Sequence, residues 1–226
     1  MDEQTFKQQA LQFLKKETRF ECHAYPCLND DKSHGFDEHY VYHVAWAANK
    51  IAHINPLSHV DIGSSLHLCT TVAAHTQTTY LDFRVPNLHV ENLSVGQIDI
   101  ANQSIEPVES LSCCHVVEHI GLGRYGDNLD NTGDLKAIEN LKKSAAKHLL
   151  FVVPVGKPAV YFNAHRVYSP VYIASLFAEF ICKEFYLIPN NGEKPRVSLI
   201  EELELPYACG CFHFISRNTY IKNVEF

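Results

Sequence analysis

Long apolar runs, basic clusters and CxxC cysteine pairs are all missing from this sequence. No apolar run approaches the ~20 residues that a membrane-spanning helix requires, so no membrane span is expected. The formal net charge is -7 and no basic cluster occurs, which argues against nucleic-acid binding through charge alone. The first residues also lack the basic-then-apolar pattern of a signal peptide. The chain of 226 residues is long enough for one well-buried globular domain with a small appendage.

The 8 cysteines form no CxxC pair. Cys113 and Cys114 lie in an apolar, strand-like run, and most of the others are scattered along the chain. Cys209 and Cys211 flank one glycine beside a late strand, where buried packing is favoured over a working thiol pair. The sequence therefore predicts reduced, mostly buried thiols and a cytoplasmic protein.

Phosphate-binding loops are absent as well. No GxxxxGK[ST] motif occurs, and the turn in Val60-Asp-Ile-Gly-Ser64 has only Gly63, with Ser64 and Ser65 where a dinucleotide fingerprint has further glycines. Asp61 in this turn would repel a phosphate but suits a cationic ligand. A pyrophosphate site is thus disfavoured.

Residues 1–56 are predicted to form an N-terminal helical appendage. Apolar residues recur at helical spacing within residues 3–17 and again from Asp37 until Pro56 stops the second helix. The stretch Glu21–Gly35 has no period and is interpreted as a loop. The appendage is a candidate lid or homodimer surface, and simple packing onto the rest of the protein is the alternative.

Residues 57–226 alternate short strands with helices, which predicts one α/β domain of three layers with a mostly parallel sheet. Helices are expected at 65–74, from about 134 and from 170. Strands are expected at 59–64, 78–83, 95–100, 111–117, 149–154, 185–188, 197–203 and 211–216.

Acidic residues stand where three of these strands end. A carboxylate such as Asp82 can accept both hydroxyls of a ribose, and Asp99 offers an acceptor for an adenine amino group. With Asp61 and no phosphate loop, this pattern favours S-adenosylmethionine, a nucleoside with a sulfonium and no phosphates. The alternative is that these aspartates only cap turns or helices.

The sequence resembles the class I S-adenosylmethionine-dependent methyltransferases in the order of its strand-end residues, which are Asp61-x-Gly63, Asp82, Asp99 and then Glu118-His119-Ile120. Two stretches are similar to one methyltransferase-like family, domain of unknown function 268. They are Leu111-Ser-Cys-Cys-His-Val-Val-Glu-His-Ile-Gly-Leu-Gly-Arg-Tyr-Gly-Asp127 and Val153-Pro-Val-Gly-Lys-Pro-Ala-Val-Tyr-Phe-Asn-Ala-His-Arg-Val-Tyr-Ser-Pro170.

The resemblance implies a Rossmann-like sheet whose last strand is antiparallel, and S-adenosylmethionine as cofactor. It implies these cofactor-binding residues: Asp61, Gly63, Ser64, Asp82, Asp99, Ile100 and His115. It also suggests surface-glycan (polysaccharide) synthesis, which makes a sugar hydroxyl the first candidate acceptor. Ser65 and Leu66 depart from the glycines common in the cofactor loop, and Lys147-His148 departs from the usual Pro-Gly-Gly turn.

His115-x-x-Glu118-His119 matches a zinc-peptidase pattern, but that motif needs a helix and this stretch is strand-like. Related O-methyltransferases carry Glu-x-x-Glu-His here, so a divalent metal on His115, Glu118, His119 and His165 is one hypothesis. The second hypothesis is metal-free catalysis, in which His119 or His165 removes a proton and Glu118 orients the histidine. Purely structural roles are the third.

The acceptor is expected to meet Arg124, Tyr125, Asn163, Arg166 and Tyr168, because aromatic faces and planar hydrogen-bonding groups suit a sugar. A solvated structural loop is the alternative. The sequence thus predicts an O-methyltransferase for a small polar acceptor, a sugar or nucleotide-sugar. Two alternatives stay open: a non-catalytic S-adenosylmethionine- or S-adenosylhomocysteine-binding module, and a metal-dependent hydrolase.

Overall fold

A computed structural model describes residues 2–16, 23–26, 35–202 and 205–217. The chain divides into two compact units, residues 1–37 and 38–226. The smaller unit contains helix α1 (Glu3–Leu14), which was predicted, and Asp2 caps it by accepting a hydrogen bond from the Thr5 amide at 2.9 Å. The loop predicted at 21–35 lies mostly outside the described residues. The domain boundary predicted after residue 56 stays a prediction.

The larger unit consists of alternating helices and strands. Its helices are α2 (Glu38–Ile54), α3 (Leu66–Ala73), α4 (Gly133–Ser144) and α5 (Pro170–Leu176). Its strands are β1 (Ser58–Ile62), β2 (Gln77–Asp82), β3 (Leu93–Gln97), β4 (Val108–Cys114), β5 (Ala145–Gly156), β6 (Ala159–Tyr161), β7 (His165–Val167), β8 (Phe180–Pro189), β9 (Arg196–Val197) and β10 (Tyr207–Ser216). None of the described helices is long and apolar enough to cross a membrane.

Eight of these strands form one sheet in the order β3-β2-β1-β4-β5-β10-β8-β9. The strands from β3 to β5 are parallel, whereas β10 pairs antiparallel with both β5 and β8. The mostly parallel sheet with an antiparallel last long strand is confirmed. A separate antiparallel hairpin joins β6 to β7. Parallel order brings the carboxyl ends of β1 to β4 to one edge, where ligands bind in open α/β sheets.

The core lies on both faces of the central strand β5. Phe151 and Val153 pack into one buried cluster, and Leu150 and Val152 pack into the other, which also contains Trp46 of α2. Successive side chains of a strand point to opposite faces, so a strand covered on both sides must be apolar throughout. This is why the run 149–154 predicted a central strand correctly.

Several predicted strands differ in their ends from the structure; the strand predicted at 95–100, for example, is Leu93–Gln97. β4 ends at Cys114 instead of continuing to Val117. The reason is that His115 has φ 57, a left-handed conformation that ends extended backbone. Residues 117–119 then form a 3-10 helix. The strand predicted at 197–203 is limited to β9, and residues 200–202 form another 3-10 helix. Leu203 lies outside the described residues.

Candidate functional site

A cavity of about 260 Å³ opens at the carboxyl ends of β1 to β4. Most of the sequence-predicted residues border it: Gly63, Ser64, Asp82, Asp99, Ile100, His115, His119 and Tyr125. These residues are separated by up to 62 positions in the chain, and the parallel sheet brings them to one place. Tyr40 of α2 and Tyr80 of β2 border the same cavity and were not predicted.

Gly63 forms the turn after β1. Its φ is 63, its amide donates to the Leu81 carbonyl at 2.8 Å, and a Cβ there would meet Val116 Cγ2 at 3.2 Å. Glycine therefore keeps this wall of the cavity open. Ser65 departs from the glycine-rich pattern for a local reason: its hydroxyl caps α3 by accepting from the Leu68 amide at 3.3 Å.

Asp82 is fixed at the end of β2 with its carboxylate on the cavity. The Tyr80 hydroxyl lies 2.8 Å from Asp82 Oδ2, and the Arg84 amide donates to Oδ1 at 2.7 Å. Each oxygen keeps a lone pair, so a pair of neighbouring hydroxyls can still be bound. Tyr80 stands two residues before Asp82 and thus on the same strand face, a signal that the sequence contained.

Asp99 lies beyond β3 and is held by its own loop. It accepts from the Ala101 amide at 3.1 Å and from Asn102 Nδ2 at 2.7 Å. Ile98 and Ile100, both 5% exposed, flank it on the cavity wall. Apolar walls next to a fixed carboxylate suit a flat ring that carries an amino group.

Asp61 is fully buried behind the cavity and supports the turn. One of its oxygens accepts from the Ser64 amide at 3.0 Å, and the Ser112 hydroxyl donates to the other. Burial raises the pKa of Asp61 to about 6. A direct contact between Asp61 and a ligand was expected from the sequence; the structure instead gives this carboxylate a supporting role, because both oxygens are bound inside the protein.

His59 lies on the same buried network. Its Nε2 is 2.9 Å from the Ser112 hydroxyl and its Nδ1 is 2.8 Å from the Ser110 hydroxyl. Burial lowers the pKa of His59 from 6.5 to about 3. The unfolded chain therefore binds a proton here at a pH where the folded protein does not, and acidification removes stability.

We expect His59→Gln to reduce the loss of stability on acidification. Between pH 7 and pH 5 the wild-type protein should lose about 2 kcal/mol through His59, and the variant should not, because glutamine does not titrate. Urea unfolding at both pH values measures the difference. The exposed His67 provides the control, His67→Gln; an equal change in both variants would contradict the assignment.

His115, Glu118 and His119 meet at the end of β4. His115 Nδ1 lies 2.7 Å from Glu118 Oε1, and His119 Nε2 lies 3.7 Å from the same oxygen. His119 Nδ1 is 2.5 Å from the Ala164 carbonyl oxygen. A carbonyl can only accept, so in the neutral imidazole Nδ1 carries the proton and Nε2 has the lone pair. His119 can therefore take up a proton at Nε2.

The metal ligands predicted from the sequence do not gather into one group. Within the described residues, the group whose three ligand atoms all lie within 4.8 Å of one another is His39, His115 and Cys209. His165 instead contacts the rings of Tyr161 and Tyr207, with centroids 5.3 and 5.8 Å away. Burial lowers the pKa of His165.

Tyr125 is the predicted acceptor residue that borders the cavity. Its ring lies edge-on to His119, with centroids 5.5 Å apart, and Arg84 Cζ lies 4.3 Å above it. Arg124 is exposed and donates to the Ala164 carbonyl at 3.2 Å. Asn163 is exposed in the turn of the β6–β7 hairpin, with φ 61.

Arg166 and Tyr168 do not reach the cavity. Arg166 Nη1 donates to the Ile120 carbonyl at 2.6 Å, and the Tyr168 hydroxyl donates to Asp134 at 3.0 Å. They border a separate depression of about 370 Å³. Their prediction as acceptor-binding residues is corrected on this point, because both polar groups are buried and used inside the protein. Arg166 anchors the loop after β4, and Tyr168 binds the first turn of α4.

The protein has the fold of class I methyltransferases: a mostly parallel sheet in this strand order, with a cavity at the carboxyl ends of the parallel strands. N-methyltransferase NodS from Bradyrhizobium japonicum WM9, solved with S-adenosylhomocysteine, is 16% identical over 95% of this chain and 97% of its own, with a TM-score of 0.55. The N-terminal domain of EvdMO1, solved in the presence of S-adenosylhomocysteine and D-fucose, is 11% identical over 96% and 98%, with a TM-score of 0.52.

Magnesium protoporphyrin IX methyltransferase (ChlM) from Synechocystis PCC 6803 is a third similar structure, 13% identical over 79% of this chain and 84% of its own, with a TM-score of 0.53. No curated protein matches the sequence. The family described as "Caenorhabditis protein of unknown function, DUF268" matches residues 70–196, more than half of the chain. The chain belongs to this family, as the two quoted stretches predicted.

Proposed function

We propose that the protein is an S-adenosylmethionine-dependent O-methyltransferase acting on a small polar acceptor, with a sugar or nucleotide-sugar hydroxyl as the first candidate. The observation that carries the proposal is the cavity of about 260 Å³ that Gly63, Asp82 and Asp99 share with His119. Ligand-binding residues and a proton acceptor thus border one space. The similar structures that contain S-adenosylhomocysteine support the same choice of ligand.

The cavity residues fit this cofactor by their chemistry. Asp82 can accept the two ribose hydroxyls, and Asp99 can accept the adenine amino group beside the walls of Ile98 and Ile100. The Gly63 turn leaves the space that a side chain would fill. When bound, the cofactor supplies an electrophilic methyl group on a sulfonium.

His119 is the proposed general base. Its Nδ1 is oriented by the Ala164 carbonyl, so Nε2 is the nitrogen that would accept the proton of the acceptor hydroxyl. Glu118, whose side chain is 1% exposed, lies 3.7 Å from Nε2 and stabilises the imidazolium that forms. His165 lies off the cavity wall and is less suited to this step.

Tyr125 is the proposed platform for the acceptor. Its ring borders the cavity, and Arg84 and Arg124 lie 4.3 and 5.3 Å from its centroid. A sugar can pack on the ring, and a phosphate or carboxylate attached to it can pair with the guanidinium groups. The EvdMO1 structure solved with D-fucose present supports a sugar as the acceptor class.

Calorimetric titration with S-adenosylhomocysteine tests the proposal. We expect wild-type protein to bind, and Asp82→Ala to weaken binding about 10- to 100-fold, since hydrogen bonds to a charged group contribute about 1.5–3 kcal/mol. The control is Glu91→Ala, which removes an exposed carboxylate outside the cavity. Failure of the wild-type protein to bind would refute the methyltransferase proposal.

A further inference from the structure

Three side chains with metal-binding atoms converge behind the cavity wall that His115 forms. His39 comes from α2, His115 follows β4, and Cys209 lies on β10. Their ligand atoms all lie within 4.8 Å of one another, and Cys209 Sγ is 3.4 Å from His115 Nε2. Residues this far apart in sequence meet here because β4 and β10 flank β5 in the sheet and α2 packs on the same face.

Glu118 prepares His115 as a ligand. Its carboxylate lies 2.7 Å from His115 Nδ1, so in the neutral imidazole that nitrogen holds the proton and Nε2 presents its lone pair toward Cys209. Histidines that bind metals usually donate their other ring N–H to a carboxylate in this way. Glu118 is itself buried, with 1% of its surface exposed.

His39 adds a second, independent observation. It is 9% exposed, and its Nε2 is buried without a hydrogen-bond partner among the described residues. A buried polar atom left without a partner costs about 1–3 kcal/mol. One ring nitrogen of His39 belongs to the group with His115 and Cys209, so an ion held there would give this buried imidazole a polar partner.

We propose that His39, His115 and Cys209 bind a Zn²⁺ ion. Zinc lies about 2.0–2.1 Å from nitrogen and about 2.3 Å from sulfur, which puts N and S ligands of a tetrahedral ion about 3.5 Å apart. The Cys209–His115 distance of 3.4 Å matches. Two imidazoles and a thiolate suit zinc better than the harder Mg²⁺.

This site differs from the one predicted from the sequence. Glu118 orients a ligand instead of being one, and neither His119 nor His165 takes part. Three protein ligands leave a fourth tetrahedral position open. The ion would link α2 to the sheet and fix His115, which borders the cavity. Metal binding does not depend on the proposed methyl transfer.

Titration of tag-free, reduced, metal-depleted protein with Co²⁺ tests the site. We expect one equivalent to bind with the thiolate-to-cobalt charge-transfer band and the visible bands of a tetrahedral ion, and Zn²⁺ to displace it. Cys209→Ser should abolish the charge-transfer band and weaken Zn²⁺ binding at least about 100-fold, and His39→Gln should weaken it strongly. Cys211→Ser is the matched control, because its sulfur lies 4.0 Å from Cys209 Sγ but outside the ligand group.

Thermal unfolding gives a second readout. Zn²⁺ should raise the melting temperature of the wild-type protein and of Cys211→Ser, but not that of His39→Gln or Cys209→Ser. Glu118→Gln should retain the cobalt spectrum with about 10- to 100-fold weaker affinity, as expected for a residue that orients a ligand. Absence of Co²⁺ binding by the wild-type protein, or a thiolate band that depends on Cys211 and not on Cys209, would overturn the proposal. S-adenosylhomocysteine titration of the same samples reports separately on the cofactor site.

Discussion

His119→Ala should lower kcat by about 10²–10⁴, the usual contribution of a positioned general base. The reason is geometric: the Ala164 carbonyl holds His119 Nδ1 at 2.5 Å, so Nε2 is the nitrogen available to a hydroxyl in the cavity. Transfer of a labelled methyl group from S-adenosylmethionine to a panel of sugars and nucleotide-sugars measures the rate. Affinity for S-adenosylhomocysteine should change far less than kcat.

His165→Ala is the matched control for this substitution. His165 packs against Tyr161 and Tyr207 and lies off the cavity wall, so we expect its removal to change kcat less than about tenfold. If His165→Ala lost as much activity as His119→Ala, the proton would have a different acceptor. An active His119→Ala variant would exclude His119 as the base.

Gly121→Ala should destabilise the protein by about 2–5 kcal/mol. Gly121 has φ 80, and a Cβ there would lie 2.0 Å from the Asp130 carbonyl oxygen. That oxygen belongs to backbone held by the hydrogen bond from the Asp130 amide to the Gly121 carbonyl at 3.0 Å, so the clash cannot be relieved by turning a side chain. Overpacking of about 1–3 kcal/mol adds to a left-handed backbone cost of about 1–2 kcal/mol.

Gly126→Ala separates these two contributions. Gly126 has φ 85 in the same loop, but a Cβ there would meet nothing within 4 Å among the described residues. We expect this variant to lose about 1–2 kcal/mol, the backbone cost alone. Urea unfolding of both variants measures the difference, and equal losses would show that the clash at Gly121 is relieved. Because the loop carries Tyr125, Gly121→Ala should also weaken acceptor binding.

The local signals in the sequence were enough for the sheet and for much of the cavity. The apolar run 149–154 predicted the central strand because a strand buried on both faces needs apolar residues at every position. The sequence predicted three residues that border the cavity, Gly63, Asp82 and Asp99. Each lies at or just after the carboxyl end of a parallel strand, and such strands end at one edge of the sheet. The antiparallel last strand was implied only by the resemblance to class I methyltransferases.

The roles of individual side chains were harder to predict, because type and spacing do not specify burial. Arg166 and Tyr168 have the chemistry of acceptor-binding residues, yet both are buried and bound to the protein's own groups. Asp61 likewise supports the turn from behind the cavity. Tyr80 is the exception: it shares a strand face with Asp82, so the alternation of side chains along β2 would have revealed it.

The sequence by itself determined the succession of strands and helices along the chain, the glycine turn and the acidic strand ends, because these depend on local pattern. The order of the strands in the sheet came from the structure. Only the tertiary structure decided which histidines work together. His115-x-x-Glu118-His119 is one motif in the sequence, but its members point to different partners: His119 to the Ala164 carbonyl, and His115 to Cys209. Those partners lie 45 and 94 residues away. Contacts over such separations are set by how the strands and helices pack, and no local pattern encodes them.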